Sequence, residues 1–251
     1  MQHILVTNDD GFEAPGLLAL RSSVQAKFPN ARVVLVGPDR GRSECSHGVS
    51  AAGFEIQTHG EDVFSTSGTP ADCVRAGLYY LCPDASLVIS GINEGANLGV
   101  EVWVSGTVAA AREAALAGIP AVAISHYRHP TIPRTYDHVG EWLEIVWDRP
   151  ELKAMFDAKK LELGNPASLW NINLPAIDPQ GPPPSIELCP IDSNPIDRTA
   201  AVKGDGTLRW ELDFQARPRD AGTDIDLCFG GAITMSSLNW QLATKPPRST
   251  D

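Results

Sequence analysis

The strongest constraint on the fold is an alternation of short apolar runs with longer segments whose apolar residues recur at helical spacing. The apolar runs are rich in β-branched residues and read as buried strands at residues 3–7, 32–37, 86–91, 121–125 and 168–175. Helical patterns follow most of them, at residues 15–28, 70–81, 107–118 and 137–148. Strands joined through helices pair in parallel, so the sequence predicts an α/β fold with a doubly wound, mostly parallel sheet.

The pattern changes after residue 175, where a proline-rich stretch cannot form a regular helix or a central strand. Beyond it, Asp205-Gly206 lies between two β-prone runs, which is a strong hairpin signal. We therefore predict a catalytic domain at residues 1–175. Residues 176–251 are expected to form a connector, a projecting β-hairpin arm and a returning strand within residues 231–240.

Composition narrows the possible partners and the compartment. The 31 acidic and 20 basic residues give a net charge of −11, which argues against a partner such as duplex nucleic acid. The N-terminus carries no long apolar run, so we expect no membrane span and a cytoplasmic protein. The five cysteines form no CxxC pair, which fits reduced thiols rather than a disulfide framework or a zinc site.

Four polar clusters follow predicted strands of the parallel sheet, at residues 8–11, 42–47, 67–70 and 90–107. Because the carboxyl ends of parallel strands share one edge, we expect these loops to converge on a single crevice. Hard cations choose oxygen ligands, and the candidates for one Mg²⁺ or Mn²⁺ ion are Asp9, Asp10, Ser43 and Asn93. The sequence thus predicts one divalent-metal site.

A phosphate-binding element is expected beside the metal. Ser105, Gly106 and Thr107 stand where a helix begins, and main-chain amides at a helix N-terminus bind anions. Taken singly, an acidic pair after a strand is more often a solvated turn, and a Ser-Gly-Thr run is a common helix cap. His47, taken alone, is expected to cap a loop rather than to act in catalysis. Their placement after successive strands favours a metal-dependent phosphoryl site.

The sequence also resembles the survival protein E (SurE) family of 5′/3′-nucleotidases. The motifs that carry the resemblance are ILVTNDDGFEAPGL, VGPDRGRSECSH, STSGTPADCV, the long segment from SLVISGINEGANLG to GIPAVAIS and, more faintly, NINLP. They occur in the family's order over roughly the first 175 residues. The resemblance implies a Rossmann-like core, a swapped C-terminal arm, a homodimer or homotetramer, and metal-dependent hydrolysis of nucleoside monophosphates.

Carried over motif by motif, the resemblance assigns the same metal ligands and adds phosphate contacts. The implied metal ligands are Asp9, Asp10, Ser43 and Asn93, the implied phosphate-binding residues are Asn97, Ser105, Gly106 and Thr107, and catalysis is assigned to Asp9, Asp10, Asn97 and Ser105. The chain departs from the family pattern at Glu44, Glu101 and Val104, and also at Arg112 and Ala114. These departures bear on substrate choice and leave the implied metal ligands in place.

Several mechanisms remain open from the sequence. We expect metal-activated water to attack phosphorus, with either Asp9 or Asp10 as the base. A covalent aspartyl-phosphate mechanism of the haloacid dehalogenase kind needs an acidic residue two positions after the first, where this chain has Gly11. A receiver-like signalling module would need a lysine after residues 121–125, where His126-Tyr127-Arg128 stands. Alternatives within the resemblance are a nucleotide-binding relative with weak or no turnover, and a general acid phosphatase or exopolyphosphatase.

Overall fold

A computed structural model describes residues 1–43, 45–156, 167–196, 198–202, 204–211 and 213–238. Within these residues no helix is both long enough and apolar enough to cross a membrane. The compartment in which the protein works stays a prediction.

A nine-stranded sheet forms the centre of the molecule, in the order β3-β4-β2-β1-β5-β6-β7-β11-β8. Its strands are β1 (His3–Thr7), β2 (Arg32–Pro38), β3 (Ile56–Gly60), β4 (Val63–Thr66), β5 (Leu87–Glu94), β6 (Ala121–His126), β7 (Leu169–Leu174), β8 (Ile186–Leu188) and, later in the chain, β11 (Ile233–Ser237). The strands from β4 to β7 in this order are parallel, whereas β3 and β11 pair antiparallel to their neighbours β4 and β7. The sheet is therefore mostly parallel, as predicted.

Helices cover both faces of this sheet. They are α1 (Pro15–Lys27), α2 (Pro70–Ala76), α3 (Gly106–Leu116), α4 (Val139–Trp147), α5 (Pro150–Phe156) and α6 (Asp224–Phe229). Apolar side chains alternate along the strands, so that Ile4 and Val6 face the layer of α1, α4 and α5 while Leu5 faces α2 and α3. The two resulting cores hold the sheet between two helical layers.

Chain direction across the sheet changes between β1 and β5, where doubly wound folds have their binding crevice. From β1 the chain passes through α1 to β2 on one side, and from β5 it passes through α3 to β6 on the other. Loops that leave the carboxyl ends of two such strands diverge, which opens a cleft where ligands bind in doubly wound folds. Residues that follow β1 and end β5 therefore lie at the expected binding edge.

The later part of the chain contributes to this sheet and also forms a separate hairpin. Strands β9 (Thr199–Val202) and β10 (Leu208–Glu211) pair antiparallel with each other around Asp205-Gly206, which confirms the predicted hairpin. The predicted returning strand is β11, and it lies between β7 and β8. The division at residue 175 and the swapping of the arm stay predictions.

Candidate metal and phosphate site

The turn after β1 is closed by the side chain of Asn8. Its amide nitrogen donates to the Gly11 carbonyl at 2.8 Å, and its amide oxygen accepts from the Gly11 N–H at 3.3 Å. Gly11 has a φ of 121°, a conformation that favours glycine. This local sequence fixes the direction in which Asp9 and Asp10 leave the strand.

Asp9 is almost fully buried, with 3% of its surface exposed. Its Oδ1 accepts a 2.6 Å hydrogen bond from the Thr107 hydroxyl. Its Oδ2 lies against Gly106, because a Cβ placed on that glycine would come within 2.7 Å of the oxygen. The structure thus brings the acidic turn and the first turn of α3 into direct contact, as the sequence predicted for loops that share one edge.

Burial raises the pKa of both carboxyl groups. The pKa of Asp9 rises to about 6 because desolvation and the charge of Asp10 outweigh the hydrogen bond from Thr107. Desolvation also raises the pKa of Asp10, although a hydrogen bond at 3.0 Å from the Glu94 main-chain N–H to its Oδ2 opposes the rise. A buried carboxylate beside a second, partly buried one is electrostatically unfavourable without a nearby cation.

The loop that carries Ser43 and the end of strand β5 that carries Asn93 are hydrogen-bonded to this acidic turn. The N–H of Arg42 donates to the Asp9 carbonyl at 2.7 Å, which places the neighbouring Ser43 at the same edge. Asn93 precedes Glu94, whose N–H donates to Asp10 Oδ2. The Nδ2 of Asn93 donates to the Gly95 carbonyl at 2.8 Å. The amide oxygen of Asn93 is therefore the side-chain atom suited to a cation.

Asn97 is held by a network of buried side chains. Its Nδ2 donates to the Ser125 hydroxyl at 2.7 Å and, more weakly, to Thr107 Oγ1 at 3.4 Å. Its main-chain N–H donates to Asn173 Oδ1, and its carbonyl accepts from the amide nitrogens of Asn171 and Asn173. Asn97 therefore connects β7 and β6 to the Thr107–Asp9 contact.

Asn171 and Asn173 received no role from the sequence, although a signal was present. Two asparagines spaced two apart in an apolar strand point to the same side of the sheet, and burial there requires partners. The partner is the main chain of Asn97, which lies at least 74 residues away in sequence.

The side chains at the start of α3 are already engaged. Ser105 is the N-cap, and its hydroxyl accepts from the Val108 N–H at 3.1 Å. The Thr107 hydroxyl binds Asp9. The groups of this segment that suit a phosphate are therefore the main-chain amides of the first turn, which lack partners within a helix.

Three of the departures from the family pattern, at positions 44, 101 and 104, differ in their surroundings. Glu44 lies outside the described residues. Glu101 accepts a 2.6 Å hydrogen bond from the almost fully buried Arg217, so its carboxylate ties the turn before Ser105 to the C-terminal part of the chain. Val104 is exposed just before Ser105. Val104 therefore presents apolar surface beside the start of α3.

The residues at this edge fit a hard divalent cation. No three His, Cys, Asp or Glu side chains of the described residues gather into a metal-binding group. A cation here would therefore need hydroxyl or amide oxygens in addition to the two carboxylates, and Ser43 and Asn93 offer that chemistry. An oxygen-rich donor set of this kind suits Mg²⁺ or Mn²⁺ and disfavours soft metals.

Comparisons with known proteins identify the relatives of this chain. A family model described as Survival protein SurE matches residues 4–195. A putative 5′-nucleotidase from Nostoc sp. (strain PCC 7120) is 35% identical over 240 residues, covering 94% of this chain and 98% of the relative. A 5′-nucleotidase SurE from Halobacterium salinarum is 35% identical over 248 residues, covering 94% of this chain and 90% of the relative. The crystal structure of the SurE protein from Aquifex aeolicus is similar with a TM-score of 0.76 and 27% identity, covering 96% of this chain and 95% of that one.

Proposed function

The chain belongs to the survival protein SurE family and is a nucleotidase, and we propose that it hydrolyses nucleoside 5′- and 3′-monophosphates to nucleoside and phosphate with a divalent metal. The observation that carries the proposal is the contact of Asp9 with Gly106 and Thr107. It joins a carboxylate suited to a cation with a helix N-terminus suited to a phosphate, which are the two elements that phosphoryl transfer needs.

The residues that would hold the metal are Asp9, Asp10, Ser43 and Asn93, with one Mg²⁺ or Mn²⁺ ion per subunit. When bound, such an ion polarises a phosphoryl oxygen and makes a neighbouring water a better nucleophile. The chain's own contribution is to hold the two aspartates in fixed directions, through Thr107 for Asp9 and the Glu94 N–H for Asp10. Their held positions reduce the reorganisation required when substrate arrives.

Phosphate binding is proposed for the first turn of α3 and for Asn97. The amides of Gly106 and Thr107 would donate to phosphoryl oxygens, and the Ser105 hydroxyl would support them as the helix cap. Asn97 can offer the N–H that now makes its weaker 3.4 Å contact with Thr107. Charge that develops on the phosphoryl oxygens would then be stabilised by donors fixed in advance.

Proton transfer is proposed for one of the two aspartates. A carboxylate accepts a proton from attacking water only while it is ionised, and the pKa of Asp9 near 6 in the absence of a cation places it close to the neutral range. A cation beside it would favour the ionised form. Asp9 and Asp10 both remain candidates for the base.

The activity test measures phosphate released from a panel of nucleoside 5′- and 3′-monophosphates, p-nitrophenyl phosphate and short polyphosphate. We expect release from nucleotides in Mn²⁺ or Mg²⁺ and none after treatment with EDTA. Undiminished release in EDTA would overturn the metal dependence. Nucleotide binding in Mn²⁺ without phosphate release would identify a binding protein, and a stronger response to polyphosphate would identify an exopolyphosphatase.

Self-association through the β9–β10 hairpin is proposed as well. These strands pair only with each other in the described part of the chain, and Val202, Leu208 and Trp210 expose 70%, 51% and 66% of their surfaces. Clustered exposed apolar side chains commonly mark protein contacts. We expect a homodimer or homotetramer by light scattering, and Trp210→Ser to shift it toward monomer. An unchanged mass for that variant would contradict an interface at the hairpin.

A further inference from the structure

We propose that Glu113 is a positioning residue that holds the Ser43 loop in place for metal binding through its contact with His47. The Ser43 loop is defined here as residues 42–50, of which the structure describes all but residue 44. The inference rests on the proposed function, in which Ser43 is a metal ligand. It adds a residue of α3 that lies away from the aspartates and is not itself a ligand.

The Glu113 carboxylate receives hydrogen bonds from two directions. His47 Nε2 lies 2.8 Å from Oε2, and Arg75 Nε donates to Oε1 at 2.7 Å. Arg112 Nε donates to His47 Nδ1 at 2.8 Å, so Nδ1 is an acceptor and Nε2 carries the hydrogen that binds Glu113. Glu113 thus joins α3 to α2 and to the Ser43 loop.

The Glu113 side chain is largely buried, so its charge depends on these hydrogen bonds. The side chain of Glu113 is only 12% exposed, and burial alone would raise its pKa. The hydrogen bonds from His47 and Arg75 nevertheless lower the pKa of Glu113 below its ordinary value. The ionised carboxylate is therefore the form that the surrounding donors favour.

The same loop is fastened at a second place, to the start of α2. The Thr69 hydroxyl donates to the Gly48 carbonyl at 2.7 Å, and the Ser50 N–H donates to Asp72 Oδ2 at 3.0 Å. At its beginning the Arg42 N–H binds the Asp9 carbonyl. These contacts hold both ends of the loop, and the His47–Glu113 contact holds its middle. Ser43 therefore lies between two points that hydrogen bonds hold, Arg42 and His47.

A carboxylate is needed because both of its contacts are donors. His47 and Arg75 approach different oxygens of the carboxylate, so the amide of Glu113→Gln, held in the same position, accepts from one of them and turns its NH₂ group toward the other. The remaining donor would face an NH₂ group in a half-buried place, which is unfavourable. Loss of the His47 contact would release the middle of the loop and widen the range of Ser43 positions.

The test measures Mn²⁺ affinity directly, from the electron paramagnetic resonance signal of free Mn²⁺ during a titration without substrate. We expect Glu113→Gln to weaken Mn²⁺ binding about tenfold, in the range found when groups that orient ligands are removed. Glu113→Asp, which keeps the charge, should recover part of the loss. At saturating Mn²⁺ the KM for nucleotide should stay within about twofold of wild type, because the substituted group does not touch substrate.

The matched control is Asp62→Asn, which breaks another ion pair. Asp62 binds Arg32 at 2.6 Å, between the starts of β2 and β4 and away from the Ser43 loop. Its φ of 57° is one that asparagine accepts readily. This variant should bind Mn²⁺ as wild type does. Weakening equal to that of Glu113→Gln would mean that general loss of stability explains both, and would overturn the proposal.

A double-mutant cycle with Ser43→Ala tests whether Glu113 acts through Ser43. We expect Ser43→Ala to weaken Mn²⁺ binding and Glu113→Gln to add little to it, since coupled residues are not additive. The same loss from Glu113→Gln in both backgrounds would overturn the positioning role while leaving Ser43 as a ligand. Unchanged Mn²⁺ affinity in Ser43→Ala would overturn the assignment of Ser43 as a metal ligand. It would overturn the positioning role of Glu113 with it. If Glu113→Gln fails to fold, His47→Asn replaces it in the cycle, because it removes the loop's contact with Glu113 and leaves the Glu113–Arg75 contact in place.

Discussion

The hydroxyl of Thr107 donates a 2.6 Å hydrogen bond to the buried carboxylate of Asp9, across 98 positions of sequence. This contact brings the end of β1 and the first turn of α3 together at the crevice between β1 and β5. The hydrogen bond lowers the pKa of Asp9 against the larger effect of burial. The carboxylate and the helix N-terminus are thus organised as one unit.

Thr107→Val removes the hydroxyl with little change in volume and should affect Asp9 more than the fold. Without that donor, the pKa of Asp9 in the metal-free protein should rise above about 6, as measured from the carboxyl carbon by NMR. We expect kcat/KM to fall by about 10- to 100-fold, because a fixed donor in the site is lost. Thr107→Ser retains the hydroxyl and should behave nearly as wild type. If the valine variant had the same Asp9 pKa and the same activity as the wild type, the role given to this contact would be contradicted.

Asp9→Asn should stabilise the metal-free protein while abolishing activity. The pKa of Asp9 is about 6 in the folded protein and 3.8 for an aspartate in an unfolded chain. Between these pH values the folded protein holds a proton on Asp9 that the unfolded chain does not. Stability therefore falls as pH rises from 3.8 through 6, and the variant escapes this loss. We expect a gain of about 1–3 kcal/mol in the free energy of unfolding at about pH 8 and little gain at about pH 4.

The measurement for Asp9→Asn is urea unfolding in EDTA at both pH values. Asp84→Asn, at an exposed position, is the control and should change stability little at either pH. Destabilisation of Asp9→Asn above pH 6 would contradict the raised pKa on which the prediction rests.

Gly106→Ala should disturb the site although alanine is the better helix former. Its Cβ would lie 2.7 Å from Asp9 Oδ2 and 3.0 Å from Asp9 Cβ, so the carboxylate must move. We expect phosphate release to fall by at least about tenfold, as small misplacements of reacting groups commonly cause. Gly140→Ala in α4 is the matched control, since nothing lies within 4 Å of its Cβ. It should stabilise the protein by about 0.5–1 kcal/mol with unchanged turnover. Full activity in Gly106→Ala would argue against close contact with Asp9.

His126 should make the protein sensitive to acid. Burial, together with the nearby charges of Arg128 and His138, lowers the pKa of His126 from 6.5 to about 3. The unfolded chain then binds a proton that the folded protein does not, so stability is complete above pH 6.5 and is lost as pH falls toward 3. The slope for this one group is at most about 1.4 kcal/mol per pH unit. His126→Gln should flatten the dependence of urea unfolding on pH, and an unchanged slope would contradict the depressed pKa.

Local patterns predicted most of the parallel sheet and the helices beside it. The predicted strand at residues 3–7 is β1, and the helix predicted from Pro70 is α2, which Thr69 caps in a capping box with Asp72. These features depend on neighbouring residues, and a sequence displays them directly. The acidic turn at Asp9 and the segment Ser105 to Thr107 were expected to meet because both follow strands of one sheet.

Contacts between distant segments could not be predicted in the same way. The pairing of Glu101 with Arg217 spans 116 positions, and the binding of Asn97 by Asn173 depends on the register between β6 and β7. Strand register is set by packing across the whole sheet. The role of Glu113 was hidden for the same reason, since His47 and Arg75 reach it from two other elements.

The most direct test of the central claim is an anomalous difference map at the manganese absorption edge, from a crystal of the protein soaked in MnCl₂. We predict one peak per chain, contacted by oxygen atoms of Asp9, Asp10, Ser43 and Asn93. A map without a peak at the carboxyl edge of β1 and β5, or with manganese bound only elsewhere, would contradict a metal site built from these residues.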